Sequence, residues 1–445
     1  MNEQLAAFIR EHNIHEVECV IPDMTGMARG KIVPKGLFLA EDTMKMSKAV
    51  LTITVNGEFA EFERFAGAND PDMVCRPDPS TIRLVPWAIE PVAVVIHDCE
   101  DFDGRPVGIS PRAVLRKVLK LYENRGWRPV VAPEMEFYLI RQNNNPHEPL
   151  RPPSGRAGRS EVGRQSFSID AVNDFDPFFQ ELSAFCEAAK LNVETLIHEV
   201  GACQMEINFS HGDAMALADQ VFLFKRAVRE TAYRHNIFAT FMAKPMEGEP
   251  GSAMHIHQSI VHSESGDNIF SNADGSASEL FFHHIGGMQK YLPQAMPMLA
   301  PYVNSYRRLS RHTAAPINVR WGYDNRTCGI RIPPSGPAAR RLENRVPGVD
   351  VNPYLAMAAT LACGYLGMVN KIEPSAPMND SAYDLDYELP RSLEDAVELM
   401  QDCPELAEIL GEEFVQAFCA VKEKEFETFN RGITAWEREH LQLHV

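Results

Sequence analysis

The stretch PVVAPEMEFYLI (129–140) constrains the fold most, because its apolar and β-branched residues are typical of a strand. Side chains two apart on a strand point to the same face. Glu134 and Glu136 would therefore share one face, while Met135 and Phe137 pack on the other. This pattern fits a half-buried strand with a solvated acidic face, and it also fits a strand that presents ligands. We expect a sheet that carries a pair of carboxylates on one face.

Strand and helix patterns alternate along the rest of the chain. Residues 17–34 indicate two strands around a DMTG turn, and residues 92–97 indicate a further strand, so the N-terminal part is expected to be β-rich. The Ser-Pro pair at 110–111 marks a helix start. The segments 238–245 and 253–261 are expected to form a hairpin. The pattern predicts an α+β fold with a substantial antiparallel component, divided into domains 1–107 and 108–445.

Composition and charge exclude several classes of partner. The chain has 445 residues, of which 45% are hydrophobic, and its net charge of −18 repels nucleic acid and anionic lipid. It has no run of about 18 apolar residues, so no membrane span is expected. The N-terminal residues lack a signal-peptide pattern, and the nine cysteines never have a CxxC spacing. These features predict a cytoplasmic protein without a disulfide framework or a structural zinc site.

Further ligand-type residues follow the paired glutamates. Glu199 and Glu206 come next in the chain, and His255 and His257 have the same two-residue spacing as the glutamate pair. Histidines on such a strand are often only hydrogen-bonded, which is the alternative to a ligand role. Oxygen-rich sites with one or two imidazoles suit Mg²⁺ or Mn²⁺ better than zinc. The sequence therefore predicts a site for two divalent ions.

A cluster of arginines is the second chemical signal. The segment 307–345 contains nine arginines, no lysine, and only Asp324 and Glu343 as acids. Arginine without lysine suggests bidentate binding of carboxylate or phosphate, because the guanidinium fork matches their oxygens. Structural ion pairs with the acidic remainder of the chain are the alternative for part of the set. The arginines are Arg307, Arg308, Arg311, Arg320, Arg326, Arg331, Arg340, Arg341 and Arg345.

The end of this segment, RRLENR (340–345), brings the two signals together. If it is a strand, Arg341, Glu343 and Arg345 share one face, so that a metal-binding carboxylate is flanked by two anion-binding groups. Arg326 and Arg331 are an odd number of positions apart and cannot share a face of one regular strand. A loop or bulge around residues 327–329 is needed to bring them together.

Seven segments, in order, resemble the glutamine synthetase family over nearly the whole chain. The resemblance implies a small N-terminal β-grasp domain, a large catalytic domain with an antiparallel sheet and helices, and a homo-oligomeric double ring (dodecamer) with active sites between subunits. The segments are PEMEFYL (133–139), HEVGACQMEIN (198–208), GSAMHIHQS (251–259), NSYRRL (304–309), NRTCGIRIP (325–333), RRLENR (340–345) and NPYLA (352–356).

The resemblance also implies which residues bind the metals. One Mg²⁺ or Mn²⁺ ion would be held by three glutamates, and a second ion by two glutamates and a histidine. The two ligand sets are Glu136, Glu199 and Glu206, and Glu134, His255 and Glu343.

Substrate-binding roles follow from the same resemblance. Arg308 and Arg345, with the backbone of Gly251 nearby, would bind the α-carboxylate of L-glutamate. Two catalytic residues are implied, Arg326 at the transferring group and Glu343 among the metal ligands. ATP would be bound by Arg331, Arg341, His257 and Ser259.

Two departures from the family pattern concern the nitrogen substrate. In glutamine synthetases a glutamate six residues after the arginine of the YKRL-type segment helps to bind and deprotonate ammonium, but here that position is Ala314. The Asp-Gly-Ser-Ser segment that carries a second such acid is absent, and the corresponding stretch is VLTITVNGEF (50–59). Two smaller departures concern glutamate and ATP contacts. Pro250 stands before the glycine of the histidine motif, and Ala338 stands in place of a lysine.

These departures predict an ATP-dependent ligase that joins glutamate to a larger amine through γ-glutamyl phosphate. Ammonium without a carboxylate to deprotonate it is a poor nucleophile, and alanine leaves room for a polyamine such as putrescine or spermidine, or for a monoamine. This resembles the γ-glutamylpolyamine synthetase branch, which feeds amines into catabolism. Glu58, Glu61 and Glu63 are candidates for a distal ammonium, against the alternative of a solvated surface.

Three other functions stay open on the sequence. The first is a glutamine synthetase that uses ammonia through a rewired site. The second is a non-catalytic family member, which predicts loss of metal carboxylates or phosphate-binding arginines. The third is a metal-dependent hydrolase, which leaves the arginine cluster unexplained.

Overall fold

The computed structural model describes residues 2–41, 43–311 and 313–445 and shows a mixture of helices and strands. In the first hundred residues, strands form one sheet with the order β2–β1–β6–β4–β3, and β5 also pairs with β6. The elements are α1 (Glu3–Glu11), β1 (Glu16–Pro22), β2 (Ala28–Pro34), α2 (Lys35–Ala40), β3 (Met44–Ser47), α3 (Phe62–Phe65), β4 (Asp72–Pro77), β5 (Arg83–Leu84) and β6 (Val92–Glu100).

The first two strands and their turn agree with the sequence prediction. β1 pairs with β2 in antiparallel register and with β6 in parallel register. The Asp23 carboxylate fixes the turn, because it accepts hydrogen bonds from the backbone N–H groups of Thr25 and Met27 and from the Arg29 side chain. The Asn352 side chain donates to the Asp23 carbonyl, so the turn is also anchored to the second part of the chain.

The second sheet contains the strands that carry the ligand-type residues. Its order is β13–β14–β15–β12–β7–β9–β8, with β10 and β11 also paired to β7. Its strands are β7 (Trp127–Arg141), β8 (Val193–His198), β9 (Gln204–Phe209), β10 (Gly212–Asp213), β11 (Ile237–Thr240), β12 (Met254–His262), β13 (Trp321–Tyr323), β14 (Ile330–Ile332) and β15 (Leu342–Asn344).

The hairpin predicted for residues 238–245 and 253–261 is wrong. β11 and β12 do not pair with each other, and both pair with β7 instead, β11 alongside residues 138–141 and β12 alongside residues 127–135. β7 is long enough for its edge to accept two short strands in succession. The connection between them, residues 241–253, therefore leaves the sheet.

Helices surround this sheet and pack closely on one another. α10 is buried over most of its length, and it crosses α8 where Gly287 lies against Gly367. A methyl group added at Gly287 would lie 2.3 Å from the Cys363 carbonyl oxygen, so this crossing requires glycine. The helices are α4 (Pro111–Glu123), α5 (Ile169–Asn173), α6 (Asp176–Ala188), α7 (Ala214–Arg234), α8 (Glu279–Leu299), α9 (Val303–Arg308), α10 (Pro353–Asn370), α11 (Leu393–Gln401), α12 (Pro404–Leu410), α13 (Glu412–Asn430) and α14 (Ala435–Leu441).

None of these helices, as far as the described residues show, combines the length and apolar character needed to cross a membrane.

A buried arginine at the start of α4 joins the two parts of the chain. Ser110 occupies the predicted cap position without a side-chain capping bond, and Pro111 is the first helical residue. Arg112 is 1% exposed and forms ion pairs with Asp78 and Asp98 from the first part and with Asp219 on α7. Because these carboxylates come from separate elements, Arg112 fixes the first sheet against α7.

Candidate active site

The register of the second sheet builds the predicted acidic face. Glu136 on β7 lies directly opposite Glu206 on β9, and Glu134 lies opposite Asn208. On the other edge of β7, His255 on β12 lies opposite Glu134. Directly opposed residues of an antiparallel pair share one face. Like charges directly opposite each other destabilise a sheet, so the pairing of Glu136 with Glu206 indicates a requirement other than stability.

The remaining two glutamates reach the same face from neighbouring elements. Glu343 on β15 lies opposite His257 of β12, and Glu199 directly follows the last residue of β8. A cavity of about 380 Å³ is lined by all five glutamates and by His255. The structure therefore brings together the six residues that the sequence predicts as metal ligands.

Burial and mutual repulsion disfavour ionisation of three of these carboxyl groups. Burial and the nearby Glu199 raise the pKa of Glu136 to about 8. Burial and the charge of Glu136 raise the pKa of Glu206 to about 9. The pKa of Glu199 is also raised, chiefly by burial. Such a group of carboxylates is suited to a positive charge, which would remove the repulsion.

The other two glutamates are held ionised by basic partners. Burial opposes ionisation of Glu134, but hydrogen bonds with His255 and His257 outweigh it and keep the pKa of Glu134 well below its usual range. Burial also opposes ionisation of Glu343, and the Arg345 charge lowers its pKa to about 2. Two of the five glutamates are therefore held anionic without any added cation.

The donor atoms fit a hard divalent cation. Among the described residues, ligand atoms within 4.8 Å of one another form two groups, Glu134 with His257 and Glu343, and Glu134 with Glu206 and His255. The first group includes His257, which the family resemblance assigns to the nucleotide side. Asn208 Oδ1 is a buried oxygen without a hydrogen-bond partner beside the same cavity. Carboxylate oxygens with one imidazole are donors that Mg²⁺ and Mn²⁺ accept.

His257 links the acidic face to an arginine. Its Nε2 lies 2.8 Å from Glu134 Oε1, and its Nδ1 lies 3.3 Å from Arg341 Nε. Because arginine can only donate, Nδ1 must accept and Nε2 must carry the proton that is donated to Glu134. The ring orientation is therefore fixed from both sides.

Four arginines line or flank the same cavity. Arg331 donates to Glu343 at 2.7 Å and to Asp324 at 2.7 Å, and Arg345 also donates to Glu343. Arg308 is buried and donates to the Val346 and Arg345 carbonyl oxygens at 2.8 and 2.9 Å. The Nε group of Arg345 is buried without a partner. The exposed Arg326 also lines the cavity.

The loop predicted between Arg326 and Arg331 is confirmed. Residues 326–329 precede β14 outside any strand, and both arginines line the cavity. Other arginines of the cluster have structural contacts, as the alternative interpretation proposes. Arg340 donates to carbonyl oxygens at 270–276, and Arg320 pairs with Glu388.

A second cavity of about 690 Å³ lies beside the first. Glu134 and Asn208 line both cavities, and Ser259, His257 and Arg341 line only the second one. The sequence-predicted nucleotide-side residues are thus grouped next to the carboxylates, with the exception of Arg331, which lines the first cavity.

Gly251 and Ala314 complete the first cavity. A Cβ atom at Gly251 would lie 2.5 Å from Arg308 Cγ and 2.6 Å from the Ala243 carbonyl oxygen, so the backbone approaches Arg308 as only glycine allows. Ala314 presents a methyl group where the family pattern has a carboxylate. None of Glu58, Glu61 and Glu63 lines this cavity in the single chain. Glu58 pairs with Lys424, and Glu61 pairs with Arg64.

Sequence reasoning missed Gln204, which ties together three parts of the site. Its side-chain Nε2 lies 3.1 Å from Glu136 Oε2 and 3.1 Å from the Gly251 carbonyl oxygen, and its Oε1 accepts from Gly201 N–H and from Tyr138. The signal was present, because Gln204 is two positions before Glu206 and shares its face of β9. Asn208, two positions after Glu206, shares this face by the same spacing and was also missed.

Comparison with known proteins agrees with this geometry. A family model described as the glutamine synthetase catalytic domain matches residues 108–441. The glutamate–isopropylamine ligase of Pseudomonas sp. is 33% identical, over 97% of this chain and 95% of the relative. The γ-glutamylputrescine synthetase PuuA of Escherichia coli (strain K12) is also 33% identical, over 97% and 92%. A solved structure described as apo GmaS without ligand has a TM-score of 0.83 at 28% identity, over 99% of each chain. This chain belongs to the glutamine synthetase family.

Proposed function

We propose that this protein is an ATP-dependent ligase that joins the γ-carboxyl group of L-glutamate to an amine. Enzymes of the family use ATP and divalent metal ions, and two relatives are named for isopropylamine and for γ-glutamylputrescine. The observation that carries the choice of an amine over ammonium is Ala314, which lines the cavity where an ammonium-binding carboxylate is expected. Retention of the metal carboxylates and arginines argues against a non-catalytic protein.

The acidic face is proposed to hold two or more Mg²⁺ or Mn²⁺ ions. When bound, such ions neutralise phosphate charge. Glu199 and Glu206 would lose the repulsion that disfavours their ionisation, and Glu134 would keep the orientation set by its histidine partners. The proposed ligands are Glu134, Glu136, Glu199, Glu206, His255 and Glu343.

The arginines are proposed to bind the two anionic substrates. Arg308 and Arg345, beside the Gly251 backbone, would bind the glutamate α-carboxylate, and the unpaired Nε of Arg345 supports that role. Arg326 and Arg331 would contact the transferring phosphoryl group, since both line the cavity. The nucleotide would lie in the second cavity, against Arg341, His257 and Ser259.

The reaction then has two steps. An oxygen of the glutamate γ-carboxylate attacks the γ-phosphorus of ATP, the bond to the ADP oxygen breaks, and γ-glutamyl phosphate forms. The lone pair of a neutral amine attacks the acyl carbon, phosphate leaves with the electron pair of the C–O bond, and the nitrogen releases a proton to solvent. Fixed arginines stabilise the charge that develops on the phosphoryl oxygens.

The assembly is proposed to be a homo-oligomeric double ring, a dodecamer with active sites between subunits. In this proposal residues 1–107 form a β-grasp domain and residues 108–445 form the catalytic domain. Native mass spectrometry and light scattering of the full chain test it. A monomer at micromolar concentration would contradict it.

An assay of ADP release tests the ligase proposal. The full-length protein is incubated with L-glutamate, ATP and Mg²⁺, together with ammonium, putrescine, spermidine or alkylamines, and the products are identified by mass. We expect ADP and a γ-glutamyl amide with at least one amine, and a loss of both with EDTA. Activity with ammonium and none with any amine would favour a glutamine synthetase. Absence of ADP release under all conditions would favour a non-catalytic protein.

A further inference from the structure

The segment 151–165 carries none of the proposed ligands, yet its one acidic side chain is buried. The segment contains four arginines and a single acid, Glu161. The Glu161 side chain is 8% exposed. Its Oε2 accepts a hydrogen bond from the Cys203 N–H at 2.8 Å and lies 3.1 Å from His198 Nε2. Because a buried carboxylate is costly unless it is hydrogen-bonded, these two contacts hold Glu161 in place.

His198 connects Glu161 to the proposed metal ligand Glu199. His198 is 1% exposed, and its ring lies between two acceptors, since Nε2 is 3.1 Å from Glu161 Oε2 and Nδ1 is 2.7 Å from the Glu199 carbonyl oxygen. A carboxylate and a carbonyl oxygen only accept, so each ring nitrogen donates. The His198 carbonyl oxygen also accepts from the Phe167 N–H at 2.8 Å. Glu161 therefore fixes the ring, and the ring fixes the backbone of Glu199.

The turn that follows Glu199 depends on side chains for its N–H groups. Residues 200–203 lie between β8 and β9, and residues 201–203 are buried. Each of the four N–H groups donates to a side-chain oxygen, and buried N–H groups require such partners. In chain order, the acceptors are the side chains of Glu199, Gln204, Glu249 and Glu161. The turn is therefore shaped partly by distant segments, near 161 and near 249.

The conformation of this turn is one that needs support. Cys203, whose N–H donates to Glu161, has φ +57°. A positive φ at a residue with a Cβ atom is costly and persists only where the surrounding contacts enforce it. Loss of the Glu161 carboxylate would remove one of these contacts and release the His198 ring at the same time.

We infer that Glu161 is a positioning residue of the metal site, which fixes Glu199 through the His198 ring and through the backbone of residues 200–203. This inference rests on the proposed function, in which Glu199 is a metal ligand. Removal of a group that orients a metal ligand typically weakens metal binding about 10–100-fold. The contacts that carry the inference are formed within one chain, so they do not depend on a neighbouring subunit.

Binding of Mn²⁺ to the full-length protein tests the positioning role. Glu161→Ala removes both hydrogen bonds, and titration calorimetry with Mn²⁺ alone should show a Kd about tenfold or more above that of the parent. Glu161→Gln keeps an amide oxygen in place of Oε2, and its nitrogen replaces Oε1, which is buried without a partner. Because the acceptor is retained, we expect Glu161→Gln to raise the Kd less than about threefold.

Glu148→Ala is the matched control for the loss of a negative charge. Glu148 is an exposed acid of the preceding segment, and its side chain accepts from Asn145. Its charge is screened by solvent, so we expect the Kd for Mn²⁺ to change less than about twofold. An unchanged Kd in Glu161→Ala, or equal increases in Glu161→Ala and Glu161→Gln, would overturn the inference.

Hydrogen exchange in EDTA tests the turn in the absence of metal. Mass spectrometry of a peptide that covers residues 199–204 should show exchange about tenfold faster in Glu161→Ala than in the parent, because the Cys203 N–H loses its acceptor. Glu161→Gln should exchange within about twofold of the parent, since the acceptor is retained. Equal exchange in Glu161→Ala and the parent would contradict the proposed support of the turn.

Failure of this inference differs from failure of the proposed function. A parent protein that binds no Mn²⁺ would refute the proposed metal site itself. A parent that binds Mn²⁺, together with a Glu161→Ala variant that binds it equally well, would refute only the positioning role. Absence of ADP release with every amine would refute the ligase proposal and leave the comparison of Kd values to decide the role of Glu161.

Discussion

Gln204→Leu tests whether the Gln204 side chain organises the site or is only a buried side chain. Gln204 is 1% exposed, and in the described residues its amide is the only protein partner of the Gly201 N–H and of the Gly251 carbonyl oxygen. Glu136 would keep its bond from Ala253 N–H at 2.8 Å, and Tyr138 would keep its bond to Pro250.

The expected cost follows from these contacts. A buried backbone group left without a partner costs about 1–3 kcal/mol, so two such groups give a loss of about 2–6 kcal/mol in the free energy of unfolding. Urea denaturation in EDTA measures this loss without a contribution from bound metal. Because Gln204 also orients Glu136, we expect the Kd for Mn²⁺ to rise about tenfold or more, which titration calorimetry measures.

Gln258→Leu is the matched control. Gln258 is also 1% exposed, but its Oε1 has no partner and its Nε2 contacts only the Met288 sulfur at 3.8 Å. Its replacement leaves no backbone group unpaired, so we expect a change below about 1 kcal/mol. Equal losses of stability in the two variants, or unchanged Mn²⁺ binding in Gln204→Leu, would refute the reasoning.

Three further predictions concern the scaffold. Arg112→Met should lower the free energy of unfolding by about 3–5 kcal/mol, because it leaves the buried Asp219 carboxylate without its ion pair, whereas Arg116→Met on the exposed side of α4 should change it by less than about 1 kcal/mol; urea denaturation compares them. Gly287→Ala should lower the midpoint of thermal unfolding by several degrees, since its methyl group would collide with the Cys363 carbonyl oxygen, and a variant as stable as the parent would contradict the observed helix crossing. Burial lowers the pKa of His284 in the folded chain to about 3, whereas in the unfolded chain the imidazole keeps its usual pKa near 6.5. Between these two pH values the unfolded chain binds a proton at His284 and the folded chain does not. The contribution of neutral His284 to the free energy of unfolding is fully present above pH 6.5 and falls as the pH drops toward 3, by about 2 kcal/mol at pH 5. Calorimetry should find a smaller loss of stability over this pH range in His284→Phe.

Local patterns predicted most elements and the shared face of the paired ligands on β7 and on β12. The face predicted for Arg341, Glu343 and Arg345 is found only in part, because β15 spans Leu342–Asn344 and Arg341 lines the second cavity. The strand at 129–140, the helix that begins at Pro111 and the loop between Arg326 and Arg331 are all present. These features depend on residues a few positions apart, whose preferences act through local geometry. The hairpin predicted at 238–261 was wrong in its pairing, because both strands are present but pair with β7.

The sequence by itself determined which side chains share a face. Alternation along β7 and β12 requires Glu134 and Glu136 to point one way, and His255 and His257 likewise, whatever surrounds the strands. It also determined that arginines without lysines follow these strands, and that Ala314 stands where a carboxylate is expected.

Tertiary structure alone decided which of these faces meet. Glu134 lies opposite His255 because β12 pairs with β7 in one particular register, and Glu136 lies opposite Glu206 because β9 pairs with the other edge. A shift of one residue would turn each set of ligands to the opposite face, and no local preference fixes that register. It is set by burial of the apolar face against the surrounding helices, which depends on the whole chain.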